Sequence, residues 1–200
     1  DIVAGWASVI KGVLLFLQRD GAGMGRYVLC APTRFNTMEP TTRAYYDHDP
    51  EGYSESTLSN DMTALLGRFA SRLPQGGRVL DLGCGSGRDT IALRGMGFSV
   101  VPVDGSEGMC RVASENTGSE VRCLDILDLD YVGEFDGVWA CASLLHLKGD
   151  EIPQALTLIN RALVDGGVLY MSFKLGRFYG IRDGRWYTDM DDVEVPVLSE

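Results

Sequence analysis

Apolar positions along the chain recur with two periods, and the change between them places the elements. From Ser56 onward, Leu58, Met62, Leu65, Leu66, Phe69 and Leu73 fall at helical spacing, and Pro74-Gln75-Gly76-Gly77 ends the run. Short apolar runs then alternate with helical ones. Residues 78–82, 99–103, 120–124, 136–141 and 168–173 read as strands. Residues 88–96, 107–116 and 151–164 read as helices, the first closed by Gly97 and the last by Asp165-Gly166-Gly167. Strands alternating with helices build parallel βαβ units, so an α/β fold is predicted, a doubly wound sheet with helices on both faces.

Before residue 41 the pattern is poor. Residues 18–39 hold no sustained period and include Gly21, Gly23, Gly25 and Pro32, so residues 1–40 read as an irregular segment. Residues 2–17 are mostly apolar, but Lys11 interrupts them and they fall short of the roughly 20 residues of a membrane span. Asp1 in front and Gln18-Arg19-Asp20 behind do not suit a secretory signal. The stretch is read as a stray or peripheral segment rather than part of the domain, with a membrane role as its lesser reading and Met24 and Met38 as candidate starts. The domain itself is expected over residues 41–200.

Composition narrows the function classes. A chain of 200 residues fits one domain, and 45% hydrophobic with 23% charged residues is ordinary for a soluble globular protein. The net charge of −10 repels phosphate backbones. DNA is disfavoured, an RNA held in a local basic cleft stays open, and a small molecule is the easier substrate. Cys30, Cys84, Cys110, Cys123 and Cys141 are scattered, with no Cys-x-x-Cys pair. Neither a disulfide framework nor a zinc site is indicated, no metal is expected, and reduced thiols fit the cytoplasm.

The candidate chemistry sits at predicted strand ends, where α/β sheets bind ligands. The first strand runs into Asp81-Leu82-Gly83-Cys84-Gly85-Ser86-Gly87, a turn whose glycines let backbone approach a ligand. Such a turn alone also occurs in dinucleotide enzymes. That fingerprint needs a glycine at the sixth position, where counting from Gly83 finds Arg88 and counting from Gly85 finds Thr90. Asp81 before the turn would repel a pyrophosphate and suits a ligand carrying an ammonium and a sulfonium, as S-adenosylmethionine (SAM) does. A nicotinamide-dependent dehydrogenase is therefore the weaker reading. Seventeen residues beyond Gly87, Asp104 ends the second strand in Val103-Asp104-Gly105-Ser106. It is read as a ribose ligand or as a helix cap; placing the cap on Ser106 leaves Asp104 for the ribose. Asp125, after the third strand, would accept from an adenine amino group while Ile126 packs on the ring. Cys84 is placed near the cofactor simply because its loop is, its other reading being a small filler in the tight turn.

With these residues in view, the chain resembles the methyltransferase-domain family of class I SAM-dependent enzymes, especially its small-molecule and tellurite-resistance-like members. The segment from Val79 through Asp89, which includes Arg88, resembles the first motif, and Val103-Asp104-Gly105-Ser106 the motif that follows it, with Met109 where a side chain packs on adenine. Phe135-Asp136-Gly137-Val138-Trp139-Ala140-Cys141-Ala142-Ser143-Leu144-Leu145-His146 resembles the fourth-strand motif, which brings Cys141 to the cofactor. Leu163-Val164-Asp165-Gly166-Gly167-Val168-Leu169 resembles the run into the fifth strand, with Asp165 in place of proline. The resemblance, over roughly residues 45–190, implies a Rossmann-like sheet of order 3-2-1-4-5 with SAM across its strand ends. It also implies a lid containing Tyr46 and Tyr53, which face the methionine end of SAM or serve only as packing. In the family a helix and an antiparallel pair of strands follow strand five. Here 27 residues remain after Phe173, with Tyr187-Thr188-Asp189-Met190 resembling the approach to that helix, so the closing strands are expected to be missing and the chain carboxyl-terminally truncated, with an exposed sheet edge.

Methyl transfer is an in-line displacement, and a general base is needed only if the acceptor must lose a proton. His146 is the best-placed base by its ordinary pKa; packing beside the substrate mouth is its other reading, and His48 is a weaker candidate. Arg177, Arg182, Arg185 and Trp186 fall where substrate loops sit and suit an acidic or planar substrate, or else stand solvated. Ala140-Cys141-Ala142-Ser143 lacks the prolines of DNA amino- and cytosine-methylating enzymes, so Cys141 is not read as a nucleophile. The expected function is methyl transfer from SAM to a small molecule. A tRNA-modifying methyltransferase and a non-catalytic SAM-binding protein are the alternatives. Oligomeric state and acceptor atom are not encoded in any of these motifs.

Overall fold

The computed structural model describes residues 12–18, as a strand, and residues 38–191. In chain order the elements are β1 (Gly12–Gln18), α1 (Pro40–His48), α2 (Pro50–Thr57), α3 (Thr63–Ala70), β2 (Arg78–Leu82), α4 (Arg88–Gly95), β3 (Ser99–Asp104), α5 (Glu107–Thr117), β4 (Arg122–Cys123), β5 (Phe135–Ala140), α6 (Ile152–Ala162), β6 (Leu163–Lys174), β7 (Tyr179–Arg182) and β8 (Arg185–Thr188). One sheet runs β1-β6-β5-β2-β3-β4, and β7 pairs with β8 apart from it. Strands β2 to β6 are parallel and, numbered among themselves, stand 3-2-1-4-5, as expected.

The central strands are apolar on both faces because both are covered. The pleat of β2 sends Val79 to one core and Leu80 and Leu82 to the other. On one face α6 buries Ile152, Ala155, Ile159 and Ala162, a single helical stripe. On the other, Phe69 of α3 packs 5.2 Å from Trp139, whose ring stacks on Tyr170 at 3.8 Å. Gly137 in β5 is needed for this approach: a Cβ there would lie 2.6 Å from Phe69 Cζ.

Several expectations are corrected. The helical run over residues 56–73 is two helices, because the Asp61 side chain accepts from Thr63 N (2.9 Å) and starts α3 afresh, leaving Leu58 exposed. The third strand shrinks to Arg122–Cys123, and the last helix stops at Ala162, since Leu163 already pairs with Phe135. The segment 1–40 is not irregular throughout: Gly12–Gln18 pairs antiparallel with β6, Gly12 opposite Lys174 and Gln18 opposite Val168, so the edge expected to be bare is covered. Residues 19–37 lie outside the described residues, as does Cys30. Tyr187-Thr188 belongs to strand β8 rather than leading into a helix. A two-residue Asp183-Gly184 turn, with φ of 49° and 76°, folds β8 back on β7.

Phe69→Ala is expected to lower the unfolding free energy by about 3–5 kcal/mol, seen as a fall in urea midpoint at unchanged m-value. A loss below about 1 kcal/mol would mean that the α3 face contributes little.

Candidate functional site

Strands β2 and β3 end side by side, and one carboxylate ties the loops that follow them. Asp104 Oδ2 accepts from Gly85 N at 2.9 Å, and Oδ1 from Ser106 N at 3.0 Å. Burial raises the Asp104 pKa despite these donors. Gly83, at φ 77°, has no space for a side chain: a Cβ would lie 2.4 Å from Ser143 Cβ. The turn thus presses directly on the loop after β5.

A cavity of about 440 Å³ opens at these strand ends. Of the residues singled out from sequence, Gly83, Gly85, Arg88, Asp104, Gly105, Met109, Asp125, Ile126, Cys141, Tyr46, Tyr53 and His146 line it. Asp81, Cys84, Gly87 and Ser106 do not. Asp81 is 2% exposed and accepts from Thr90 Oγ1 at 2.5 Å, bracing α4 against β2. Burial first, then the neighbouring Asp89, pushes its carboxyl up to about 7, and with Thr90 as its partner it stands outside the cavity wall. Cys84, placed near the cofactor from its loop, packs with Cys110, Ala113 and Val121 as a small filler and is not part of the cavity wall. Ser106 caps α5 by accepting from Met109 N (3.1 Å), which leaves Asp104 free of that task. Gly87, at φ 81°, is the N-cap of α4.

At one end of the cavity Asp125 caps the turn Ile126–Asp128 through Leu127 N (3.0 Å), accepts from Met38 N, and faces Arg43 at 3.6 Å. Met38 also lines the cavity, with Cε 3.3 Å from the Cβ position of Gly105. Nothing local marks Met38 in the sequence, because its contacts lie 87 residues away.

The other end is built from remote segments. His146 Nδ1 lies 2.6 Å from the Trp186 carbonyl oxygen, and Nε2 lies 2.9 Å from Tyr46 Oη. A carbonyl only accepts, so Nδ1 carries the proton and Nε2 accepts from the tyrosine. Burial, reinforced by Arg185 and Lys174, lowers the His146 pKa to about 4. Tyr46 is raised, by burial first and then Tyr53, whose ring meets it edge-on at 5.0 Å. Asp47 anchors α1 by accepting from Ser106 Oγ (2.6 Å) and Gly108 N (3.0 Å) at the α5 N-terminus, where a carboxylate is favoured. His48 is exposed and not among the cavity-lining residues. Beyond β5, Ala142 adopts φ 53°, a conformation uncommon for alanine, and its N donates to Ser172 Oγ at 2.8 Å. Ser143 Oγ is buried, lines the cavity and has no hydrogen-bond partner among the described residues. Burial holds the Cys141 thiol up at about 12, which removes it as a nucleophile.

A parallel 3-2-1-4-5 sheet with a glycine turn on its first strand and a carboxylate on its second occurs in dinucleotide enzymes as well, and sequence similarity decides between them: the chain belongs to the class I SAM-dependent methyltransferases. Residues 79–167 match the family described as the methyltransferase domain. The chain is 30% identical over 135 residues to an uncharacterized methyltransferase of Staphylococcus carnosus, covering 68% of this chain and 63% of that protein. It is 35% identical over 114 residues to the magnesium-protoporphyrin O-methyltransferase of Rhodobacter capsulatus, covering 52% and 50%. It thus spans about half to three-fifths of the curated relatives it matches. Among solved structures, the Burkholderia thailandensis 1,6-didemethyltoxoflavin-N1-methyltransferase, with 1,6-didemethyltoxoflavin and S-adenosylhomocysteine bound, aligns with a TM-score of 0.62 at 22% identity, over 85% of this chain and 78% of that one. SAM is the cofactor of this class. The residues present fit it: bare backbone at Gly83, an unanswered Ser143 hydroxyl and the buried Asp104 and Asp125 carboxylates suit a cationic, adenosine-containing ligand. Among the described residues, no helix is long and apolar enough to cross a membrane.

The raised Asp81 pKa has a signed consequence. From 3.8 up to about 7 the folded protein holds a proton that the unfolded chain has released, so stability falls as pH rises through that window. Asp81→Asn should flatten this fall between pH 5 and 7.5 in urea unfolding; equal slopes for both proteins would contradict the shift.

Proposed function

We propose that the protein transfers a methyl group from SAM to a small-molecule acceptor. The observation carrying this reading is the cavity with two chemically different ends, carboxylates at one and the Tyr46–His146 pair at the other. Asp104 is assigned to the ribose hydroxyls: each of its oxygens accepts one backbone amide and keeps a lone pair for one hydroxyl. Asp125, Ile126 and Met109 are assigned to adenine. Gly83, Gly85, Arg88, Cys141, Tyr46 and Tyr53 are assigned to the methionine end, with Gly87, Cys84, Ser106 and Gly105 shaping the loops. The two relatives with named substrates, a magnesium porphyrin and 1,6-didemethyltoxoflavin, act on or bind small molecules. The described cysteines are all free, which suits action in the reducing cytoplasm.

When bound, SAM supplies a sulfonium methyl group open to in-line displacement. The protein's own part is to position the acceptor and accept its proton. Tyr46 Oη holds the acceptor's nucleophilic atom. As that atom gains its methyl group its proton turns acidic, so a weak base suffices; Tyr46 takes this proton as its own passes to His146 Nε2. The Trp186 carbonyl keeps the imidazole in the tautomer this transfer needs.

Asp104→Ala should weaken SAM binding about 10- to 100-fold in calorimetry, the loss of two hydrogen bonds to a charged group; an unchanged Kd would remove the ribose assignment. In a SAM-turnover screen across metabolites and tRNA, Tyr46→Phe and His146→Ala should each lower kcat by about 10²-fold, with SAM affinity held in His146→Ala and reduced far less than kcat in Tyr46→Phe, which keeps the ring at the methionine end. Wild-type turnover in both would make the pair structural.

A further inference from the structure

Positive charge is concentrated where methyl transfer alone does not require it. The chain carries a net charge of −10, yet Lys174, Arg177, Arg182 and Arg185 fall within twelve residues at the end of β6 and in the β7–β8 hairpin, with Asp183 the one acid among them. Arg177 and Arg182 are answered by Asp191 and Asp189. Arg185 and Lys174 form no ion pair among the described residues. Arg185 is partly buried, and its Nε makes no hydrogen bond. Its guanidinium lies 4.3 Å from the Tyr45 ring centroid, 5.4 Å from that of Tyr187 and 5.8 Å from that of Tyr46. Lys174 Nζ lies 4.2 Å from the Tyr187 ring centroid. The two cations crowd each other: burial first, then Arg182 and Arg185, lower the Lys174 pKa. Arg185 is not itself among the cavity-lining residues, but its charge reaches Tyr46, Tyr53 and His146, which are. The uncompensated charge therefore stands against the Tyr46 side of the Tyr46–His146 end.

We propose that the acceptor is a small planar organic carboxylate whose acidic group Arg185 holds while Tyr46 holds the atom to be methylated. This rests on the methyl-transfer reading above and names its substrate class. A guanidinium withdrawn from water beside a second cation is costly unless an anion joins it, and ring faces offset only part of that cost. Its planar fork pairs with a carboxylate through two parallel hydrogen bonds, and the tyrosine faces around it favour a flat ligand. A neutral acceptor would leave the Arg185 charge without a counter-ion, its one side-chain hydrogen-bond partner among the described residues being Tyr46, and a cationic acceptor would be repelled. On an acidic protein this patch is also the surface that would draw an anion in.

Benzoate and benzamide, flat molecules of the same shape that differ in charge, test the assignment by thermal unfolding of the full chain saturated with S-adenosylhomocysteine. Millimolar benzoate should raise Tm by roughly 2 °C or more, benzamide should not, and Arg185→Met, which keeps the stem over the tyrosines, should abolish the rise. Arg185→Lys, which keeps the charge, should retain part of it and covers the case of a poorly folded Arg185→Met. No benzoate effect, an equal benzamide effect, or a benzoate effect that survives in Arg185→Met would overturn the proposal. So would binding of bulk tRNA that Arg185→Met weakens, which would point to a nucleic acid instead. Failure of S-adenosylhomocysteine to bind in calorimetry would count against the cofactor reading alone, since the benzoate comparison can be read on the free protein.

Discussion

The ligand end of the sheet depends on a carboxylate buried where two parallel strands finish. Parallel strands release their chains into loops whose first amides have no ladder partner, and amides in a closed site need acceptors. Asp104 supplies them for both loops at once, taking Gly85 N on one side and Ser106 N on the other. It is stable there because those donors favour the ionised form against the cost of burial. The glycine turn is thereby set against β3, and the same carboxyl group remains part of the cavity wall. One residue both ties the loops and lines the cavity because the geometry that ends the strands also forms the cleft.

Helix α1 does for the Tyr46–His146 end of the cavity what Asp104 does for the end bounded by carboxylates. Asp47 seats it on the N-terminus of α5, and Thr42 Oγ1 accepts from Trp186 N at 2.8 Å to hold β8. Tyr46, one residue from Asp47, then meets His146, whose other nitrogen is held by Trp186. Residues 42, 46, 146 and 186 come from three separate segments, 42 and 46 from α1, 146 from the loop after β5 and 186 from β8, and each orients the next. His146 is consequently a neutral, fixed-tautomer acceptor rather than a freely titrating base. The cation behind it, Arg185, is part of the same assembly.

Much of the architecture could be read from local pattern. The strands over residues 78–82 and 99–103 and the helices opening at Arg88 and Glu107 were legible because each carries its own signal: an apolar run, a cap, or a glycine stop. Errors fell where a long-range contact, or a local cap or turn, overrode the apolar pattern. A helical period ran through Asn60–Met62 although Asp61 starts a new helix there. Leu163 to Gly167 looked like a helix end, but Leu163 pairs with Phe135. The apolar stretch before Gln18 looked peripheral, yet its register with β6 makes it the antiparallel edge. The Asp183-Gly184 turn was present in the sequence as a hairpin signal and went unread beside the family's expected helix.

The sequence by itself determined the fold class, the cofactor turn and which carboxylates end the strands, because these follow from residue spacing within single βα units. Only the tertiary structure decided what those side chains face. It turned Asp81 inward onto Thr90, set Met38 against Asp125, and paired Tyr46 with His146 beside an unanswered Arg185. The physical reason is separation along the chain. A turn is specified by neighbours a few residues apart, whereas burial, tautomer and charge compensation depend on groups tens of residues away that only folding brings together.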